Sequence, residues 1–426
     1  MGYKVEVTTI APAPGVAGSM IPLEGAHVVS ALRKNSRGEL RIFTDRSLQY
    51  IQPDTQDRAL NILYFHGLRY GSGAYLRGEG FQGYCADSDY LRRTLLMLLL
   101  FPGSSLRGDL VVGSVPEPLG ALDFPDGYPS SGEKLGSELR HLLGGNDCLG
   151  HALRPLKPDP VAVISILHGM QTGKRATRLF VSASDMQELR LAALSLGLEY
   201  TLALLQPVPW LANPELVSLM RQCDFALLYD RFPEPFGLYP LESVLQGTPV
   251  YTNGAGNLRY LLPPGCGIRV EDNDDFHGIG RRILAEVLSG SGRRACVRGA
   301  RLIRKKYGQK AFFRGFSSYV ERVTGARPTV GVDPASLRIS LGPLVRAYEP
   351  RSGRCRSDYR HLELDRSQRK LLRQALGRTL QTISQGLPPA GKRDLHRLFR
   401  CGLLSLGEGI EDPIRLQNVH AGSTWK

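Results

Sequence analysis

The stretch CDFALLYDRFPEPFGLYPLESVLQGTPVYTNGAG, residues 223–256, admits few folds. FALLY is a short apolar and aromatic run of the length of a buried strand. DRFPEPFG breaks regular structure, because two prolines and a glycine crowd into eight residues. LYPLESVLQG then predicts a short helix, with Pro240 near its first turn, Glu242 early where the macrodipole favours a carboxylate, and Gly247 where the chain leaves. TPVYT is the next strand. Strand, loop, helix and strand in succession are the repeating unit of a parallel α/β sheet. Ligands of such sheets sit outside the carboxyl ends of the strands. Glu234 in the loop and Glu242 on the helix, eight positions apart, can therefore face one ligand.

A chain of 426 residues has room for two such domains and a small third. With 42% hydrophobic and 22% charged residues it reads as soluble and globular. The longest apolar run, LLMLLLF at 95–101, is too short to span a bilayer, and the N-terminus lacks the charged-then-apolar pattern of a secretion signal; a cytoplasmic protein is expected. Seven scattered cysteines without a C-x-x-C pair suggest neither a disulfide framework nor a zinc site. The formal charge of +14 is concentrated in GRRILAEVLSGSGRRACVRGARLIRKKYGQKAFFRG, a stretch suited to nucleic acid, an anionic membrane surface, an acidic substrate, or simply water.

The first hundred residues alternate in type. YKVEVTTIAP, ELRIFTD, NILYFHGL and GYCADSD read as strands, and GAHVVSALRKN and YLRRTLLMLLL as helices. Residues 102–155 are rich in Pro, Gly and Asp and read as a connection. A second α/β domain is expected to start with VAVISILHG as its first strand, followed by RLFVSAS as a strand, MQELRLAALSL as a helix and YTLALL as a strand. Expected boundaries are 1–150, 151–325 and, after the Pro and Gly linker TGARPTVGVDP, a small unit at 335–410.

EPFGLYPLE followed by GTPVYTNGAGNLRYLL resembles the donor-site signature of retaining glycosyltransferases of the sucrose-synthase-like family, with its E-x7-E motif. GYCADSDYLRRTL is similar to the serine-containing strand end and helix of that family's N-terminal domain. The resemblance implies the GT-B architecture, two Rossmann-like α/β domains facing each other, and metal-independent, cofactor-free sugar transfer from a nucleoside diphosphate sugar. A carboxylate accepts two hydroxyl hydrogen bonds at once, so Glu242 suits the ribose and Glu234 the sugar or the charge near the reacting carbon. Backbone N–H groups of Phe236, Gly237 and Leu238, opening the helix, suit the diphosphate.

The family also supplies an Arg and a Lys about five residues apart after the first strand of the second domain. At that expected place the chain reads ILHGMQTGKRATRLF, with His168 where the Arg belongs. Lys174 is the candidate cation, with Arg175 or Arg178 to provide the guanidinium. His66, at the end of NILYFHG, matches the family's histidine near the acceptor, and Gly15 and Gly18 form a glycine loop able to meet phosphates or acceptor.

The C-terminal segment holds three short helical stretches with apolar spacing, the first capped by Asp365, and LFRCGLLSLG closes it. It resembles winged-helix modules, which implies a unit that folds separately and presents a peptide or natural-product acceptor, binds nucleic acid, or packs on the enzyme. An anionic lipid or glycan is the other acceptor class. The rival to an enzyme is a non-catalytic nucleotide-sugar scaffold or DNA-associated regulator, for which His168 is the best support.

Overall fold

The computed structural model describes residues 5–8, 26–29, 40–44, 59–67, 80–100, 110–119, 148–171, 177–269, 275–325, 337–358 and 361–406, with a few residues of 134–141. It is an α/β protein of two Rossmann-like domains facing each other, followed by a smaller unit of helices and short antiparallel strands.

β1 (Val5–Thr8) and β2 (Ala26–Val29) pair in parallel. GAHVVSALRKN is thus strand and not helix over its described part, as two successive valines on a pleated edge allow. The main sheet of the first domain runs β3 (Leu40–Thr44), β4 (Leu60–Phe65), β5 (Gly83–Ala86) and β6 (Val111–Ser114), all parallel. Strand periodicity divides β4 between two cores. Leu63 and Phe65 meet α1 (Asp89–Leu99) through Leu91 and Leu95, and Ile62 and Tyr64 lie on the opposite face.

The second sheet has β7 (Cys148–Ala152) at its centre, in the order β12, β11, β10, β7, β8, β9, again all parallel. The remaining strands are β8 (Thr177–Ser182), β9 (Leu205–Val208), β10 (Phe225–Leu228), β11 (Val250–Thr252) and β12 (Gly267–Arg269). The helices are α2 (Pro160–Gly169), α3 (Met186–Leu196), α4 (Asn213–Gln222), α5 (Leu238–Leu245), α6 (Leu258–Leu261), α7 (Phe276–Ser289) and α8 (Ser291–Tyr307).

VAVISILHG is therefore a helix. The Asp159 carboxylate accepts from Val161 and Ala162 N–H at 3.0 and 3.2 Å, and Pro160 opens the first turn. Its apolar run is buried on most sides against α3 and α7, which erases the periodicity that marks a surface helix. YTLALL is likewise a 3-10 turn ahead of β9, not a strand.

α9 (Gln309–Gly325), expected in the second domain, crosses back to the first. Tyr319, Val320 and Val323 cover Ile62, Tyr64 and Cys85, and the Tyr319 hydroxyl donates to the Val111 carbonyl at 3.1 Å. Six cysteines are buried, and all seven are free thiols. No helix among the described residues is long and apolar enough to cross a membrane.

The C-terminal unit contains β13 (Ile339–Leu341), β14 (Val345–Tyr348), β15 (Arg354–Ser357), β16 (His361–Glu363), α10 (Arg366–Ala375), α11 (Leu380–Gly386), α12 (Pro389–Arg400) and β17 (Leu404–Leu406). β17 pairs antiparallel with β13, ahead of the helices. This unit does not close its core alone: Leu100 and Leu96, at the end of α1, are part of it. It is also fastened by Asp358, whose side chain is fully buried. That carboxylate accepts from Tyr90 Oη of the first domain at 2.8 Å, from Arg259 Nη2 and Gly256 N of the second at 2.6 and 3.1 Å, and from Arg346 Nε at 2.8 Å.

A chain ending at Gly325 would expose Leu96 and Leu100 and strip Arg259 of Asp358 and of the Pro343 and Val345 carbonyls. Contrary to the separate unit expected from the linker, it should aggregate or melt far below the full chain. Asp358→Ala alone should lower stability by about 3–5 kcal/mol, the cost of stripping one partner from a buried ion pair. A denaturant midpoint equal to that of the parent would show that this joint does not hold the unit in place.

Candidate functional site

The carboxyl edge of the second sheet carries the charge. β7 runs straight into Leu153, Arg154 and Lys157, and β10 runs into Asp230 and the loop that holds Glu234. The Arg154 guanidinium bonds Asp230 through Nη1 and Glu234 through Nη2, and Lys157 Nζ lies 2.7 Å from Glu234 Oε2. All but Lys157 are nearly withdrawn from water, so these pairs are strongly coupled and costly to break singly. Burial pushes the Asp230 carboxyl above its ordinary value, against the pull of Arg154 and Lys157. Burial, and then the Arg154 charge, bring the Lys157 ammonium down to about 8.

The loop that carries Glu234 is set by two glycines with left-handed backbone. Gly237 (φ 103°) stands before α5, and a Cβ there would lie 2.8 Å from Leu261 Cδ2. Gly256 (φ 63°) lies so close to the loop that a Cβ would come within 2.4 Å of the Glu234 carbonyl oxygen. This contact is a short parallel bridge: Glu234 N donates to Ala255 O at 3.3 Å, and Asn257 N donates to Glu234 O at 2.7 Å. Phe236 is buried edge-on against Tyr307 of α8, at 5.7 Å between ring centres. Leu238 opens α5, where the first N–H groups of any helix lack intrahelical acceptors.

Two cavities meet at Arg154 and Tyr239. One, of about 550 Å³, lies between the domains, with His66, Asp87 and Glu117 on one wall and Arg154, Glu234 and Gly237 on the other. A smaller one of about 290 Å³ lies within the second domain beside Lys157, Ser182 and Trp210, and Trp210 is 84% exposed. Glu242 is one turn past Tyr239 on α5 and hydrogen-bonds Asn213, three residues after Trp210; burial raises its carboxyl and the Asn213 bond opposes the shift. The domains touch at this cleft: Ser88 Oγ donates to the Pro235 carbonyl at 2.5 Å.

Glu234, His66, Phe236, Gly237 and Leu238 thus line one cleft. Arg178 does not join them. It is the second residue of β8, at the amino end of the sheet, and its guanidinium donates to the Ala203 carbonyl at 3.2 Å. Lys174, Arg175, Gly15 and Gly18 lie outside the described residues. His168 is on α2 against Tyr200 and His277, not at a strand end.

Sequence reasoning missed Arg154 and Lys157 because it placed the first strand one element too late. The Asp159–Pro160 pair, a helix-start signature, was the signal that could have corrected it. It also missed Glu117, whose Oε1 lies 2.5 Å from His66 Nδ1. His66, Asp87 and Glu117 follow three adjacent strands and present ligand atoms within 4.8 Å of one another, so among the described residues they could hold a cation.

No protein-family model and no curated protein matches this chain. Solved structures share part of its trace. Anabaena HepE, solved in complex with UDP and glucose, is similar at 17% identity over 62% of this chain and 72% of its own, with a TM-score of 0.46. WaaG, a glycosyltransferase involved in lipopolysaccharide biosynthesis, is similar at 12% identity over 76% and 92%, with a TM-score of 0.49. AviGT4, a glycosyltransferase involved in avilamycin A biosynthesis, is similar at 18% identity over 67% and 75%, with a TM-score of 0.42.

Because Gly256 both needs a left-handed backbone and abuts Glu234, Gly256→Ala should displace the loop. The expected loss is about 1–3 kcal/mol of stability, with weakened binding of any ligand that Glu234 contacts. Thermal melts and titration of nucleoside diphosphates against the parent read both effects, and an unchanged melt would show that the loop is not held by this contact.

Proposed function

We propose that the protein is a glycosyltransferase that moves a sugar from a nucleoside diphosphate sugar to an acceptor bound in the cleft between its two α/β domains. The observation that carries this reading is the convergence of Arg154, Lys157 and Glu234 with the amino end of α5 at the carboxyl edge of the second sheet. Sugar transfer leaves a nucleoside diphosphate whose charge grows as the glycosidic bond breaks. Two fixed cations and a helix N-terminus are the means of stabilising that charge.

In this arrangement Trp210 offers a face for the base, and Glu242, held by Asn213, accepts the ribose hydroxyls. Glu234 faces the sugar and keeps the cations in register. His66, held by Glu117, orients the acceptor on the opposite wall. Retention at the anomeric carbon belongs to the proposal, with the departing phosphate oxygen helping to deprotonate the acceptor, and so does transfer without a metal. The acceptor is a peptide, a natural product, or an anionic lipid or glycan.

A second reading is favoured by one observation, the His66, Asp87 and Glu117 cluster, which would place a divalent cation opposite the diphosphate. Chelation distinguishes the two: donor hydrolysis that survives chelation supports the fixed cations, and hydrolysis abolished by it supports the cluster. The scaffold alternative rests on His168, which lies on α2 and not at a strand end; Arg154 and Lys157, which follow β7, favour the enzyme. A chain that binds donor without hydrolysing or transferring it would restore that alternative.

Glu242→Ala should weaken nucleoside diphosphate binding by about 1.5–3 kcal/mol, the worth of charged hydrogen bonds. Lys157→Met should lower turnover more than donor affinity. The pH dependence follows from the sign of the Lys157 shift. Its charge is present below about 8 and lost above, so diphosphate affinity should fall as the pH rises through that value. Lys157→Arg should abolish the fall, and calorimetric titration from neutral to alkaline pH is the test.

A further inference from the structure

α8 is built with two unlike faces. Cys296, Ala300, Ile303 and Tyr307 are buried against α5 and its loop, which uses up the inward apolar stripe. The outward face carries seven Arg and Lys in seventeen residues and no acid. Arg293 turns back to Asp224 at 3.4 Å, Arg294 to the Ser289 carbonyl at 3.2 Å, and Lys306 lies 5.1 Å over the Tyr307 ring. Arg301, Arg304 and Lys305 have no hydrogen-bond or ion-pair partner among the described residues, and Arg298 interacts only through its charge with Cys266. Apolar side chains stand among them, Val297 at 73% exposed and Leu302 at 55%, and the next helix, α9, begins with the exposed Lys310, Phe313 and Arg314, Phe313 at 65%. Val297, Arg301 and Arg304, spaced four and three apart, share one side of the helix, and Leu302 shares the neighbouring side with Arg298 and Lys305.

We propose that the outward face of α8, continued by Lys310, Phe313 and Arg314 of α9, docks the protein on an anionic phospholipid surface. The basic groups meet the headgroups, and Val297, Leu302 and Phe313 enter the boundary of the acyl chains. A nucleic acid would satisfy the charges equally well. It would leave two exposed aliphatic side chains facing hydrated phosphate, whereas a lipid surface takes them up. The position of the face has a consequence that rests on the transfer reading. The Tyr307 carbonyl, at the end of α8, accepts from Leu119 N at 2.9 Å and the Tyr307 ring packs on Phe236, so the last turn of α8 lies beside the cleft that Phe236 and Glu117 line. A membrane-borne acceptor would then be held on the far side of the helix whose end borders the cleft.

The test is co-sedimentation of the full chain with vesicles of phosphatidylcholine alone and of phosphatidylcholine mixed with phosphatidylglycerol, and it needs no activity. Binding to the mixed vesicles only is expected, weakening with salt. Each basic group removed should lower partitioning roughly fivefold, from the ~1 kcal/mol a Lys or Arg gains near an anionic surface, so Arg301→Gln with Lys305→Gln should cost roughly 30-fold. Leu302→Ser with Val297→Ser should also weaken binding while leaving its salt dependence unchanged. All four positions are exposed, and an unchanged melting curve would show that the fold survives. Binding to duplex DNA but not to vesicles, vesicle binding indifferent to the aliphatic pair, or no binding to either would overturn the proposal. If transfer fails while vesicle binding persists, the fault lies with the proposed function and not with the docking face.

Discussion

Asp358 is the constraint on which the geometry of the cleft depends. A carboxylate without access to water must be surrounded by donors, and this one takes them from all three parts of the chain: Tyr90, Gly256 with Arg259, and Arg346. Arg259 extends the joint, donating to the Val345 and Pro343 carbonyls at 3.1 and 3.0 Å and lying over the Tyr90 ring. Gly256 then passes the constraint on, since the same residue that donates to Asp358 is bridged to Glu234. One buried carboxylate in the smallest unit is therefore two contacts away from the charge cluster of the cleft. The two large domains are held in register from behind while Ser88 and Pro235 touch across the front.

That arrangement bears on the chemistry proposed for the cleft. Fixed charges stabilise a developing charge only if they need not reorganise when it appears. Arg154 is held by two carboxylates at once and Lys157 by one of them, so neither cation is free to swing. Glu234 and Asp230 are the carboxylates with which a diphosphate would, under that proposal, compete for cations already in place.

The legible part of the molecule was the part where local chemistry and global fold agree. Two prolines and a glycine between an apolar run and a capped helix left little choice for residues 223–256, and Glu234 and Glu242 lie in the loop and helix read from them. The misreadings share a physical cause. VAVISILHG is apolar on nearly every side because it is packed on nearly every side, and a helix of that kind has no periodicity to distinguish it from a buried strand. With the strand displaced by one element, Arg154, which follows β7 directly, has no strand before it to mark it, and Arg178 at the amino end of β8 takes its place. Glu117, Asp358 and the return of α9 to the first sheet are long-range facts. Nothing in the residues around Asp358 marks it as the partner of Tyr90, 268 positions away.

Beneath Arg154 lies a polar chain that shows how the core sets the surface charge. Leu153 N donates to Tyr239 Oη at 2.9 Å, and Tyr239 Oη is 2.5 Å from His151 Nδ1. With the Leu153 N–H received by the phenol oxygen, donation of the phenol proton to Nδ1 is the assignment that leaves no donor of this chain without an acceptor. Burial brings the His151 imidazole down to about 3 and keeps it neutral, so its single hydrogen is on Nε2, facing Ser243 Oγ at 3.3 Å. Ser243 in turn donates to the Thr248 carbonyl at 3.1 Å. Every donor finds an acceptor in only one direction, and the chain ties β7 to α5 with Tyr239 beneath the guanidinium of Arg154. A protonated His151 would present a second donor to Tyr239 and break the order. The neutrality of a buried histidine is thus part of what orders the core beneath Arg154.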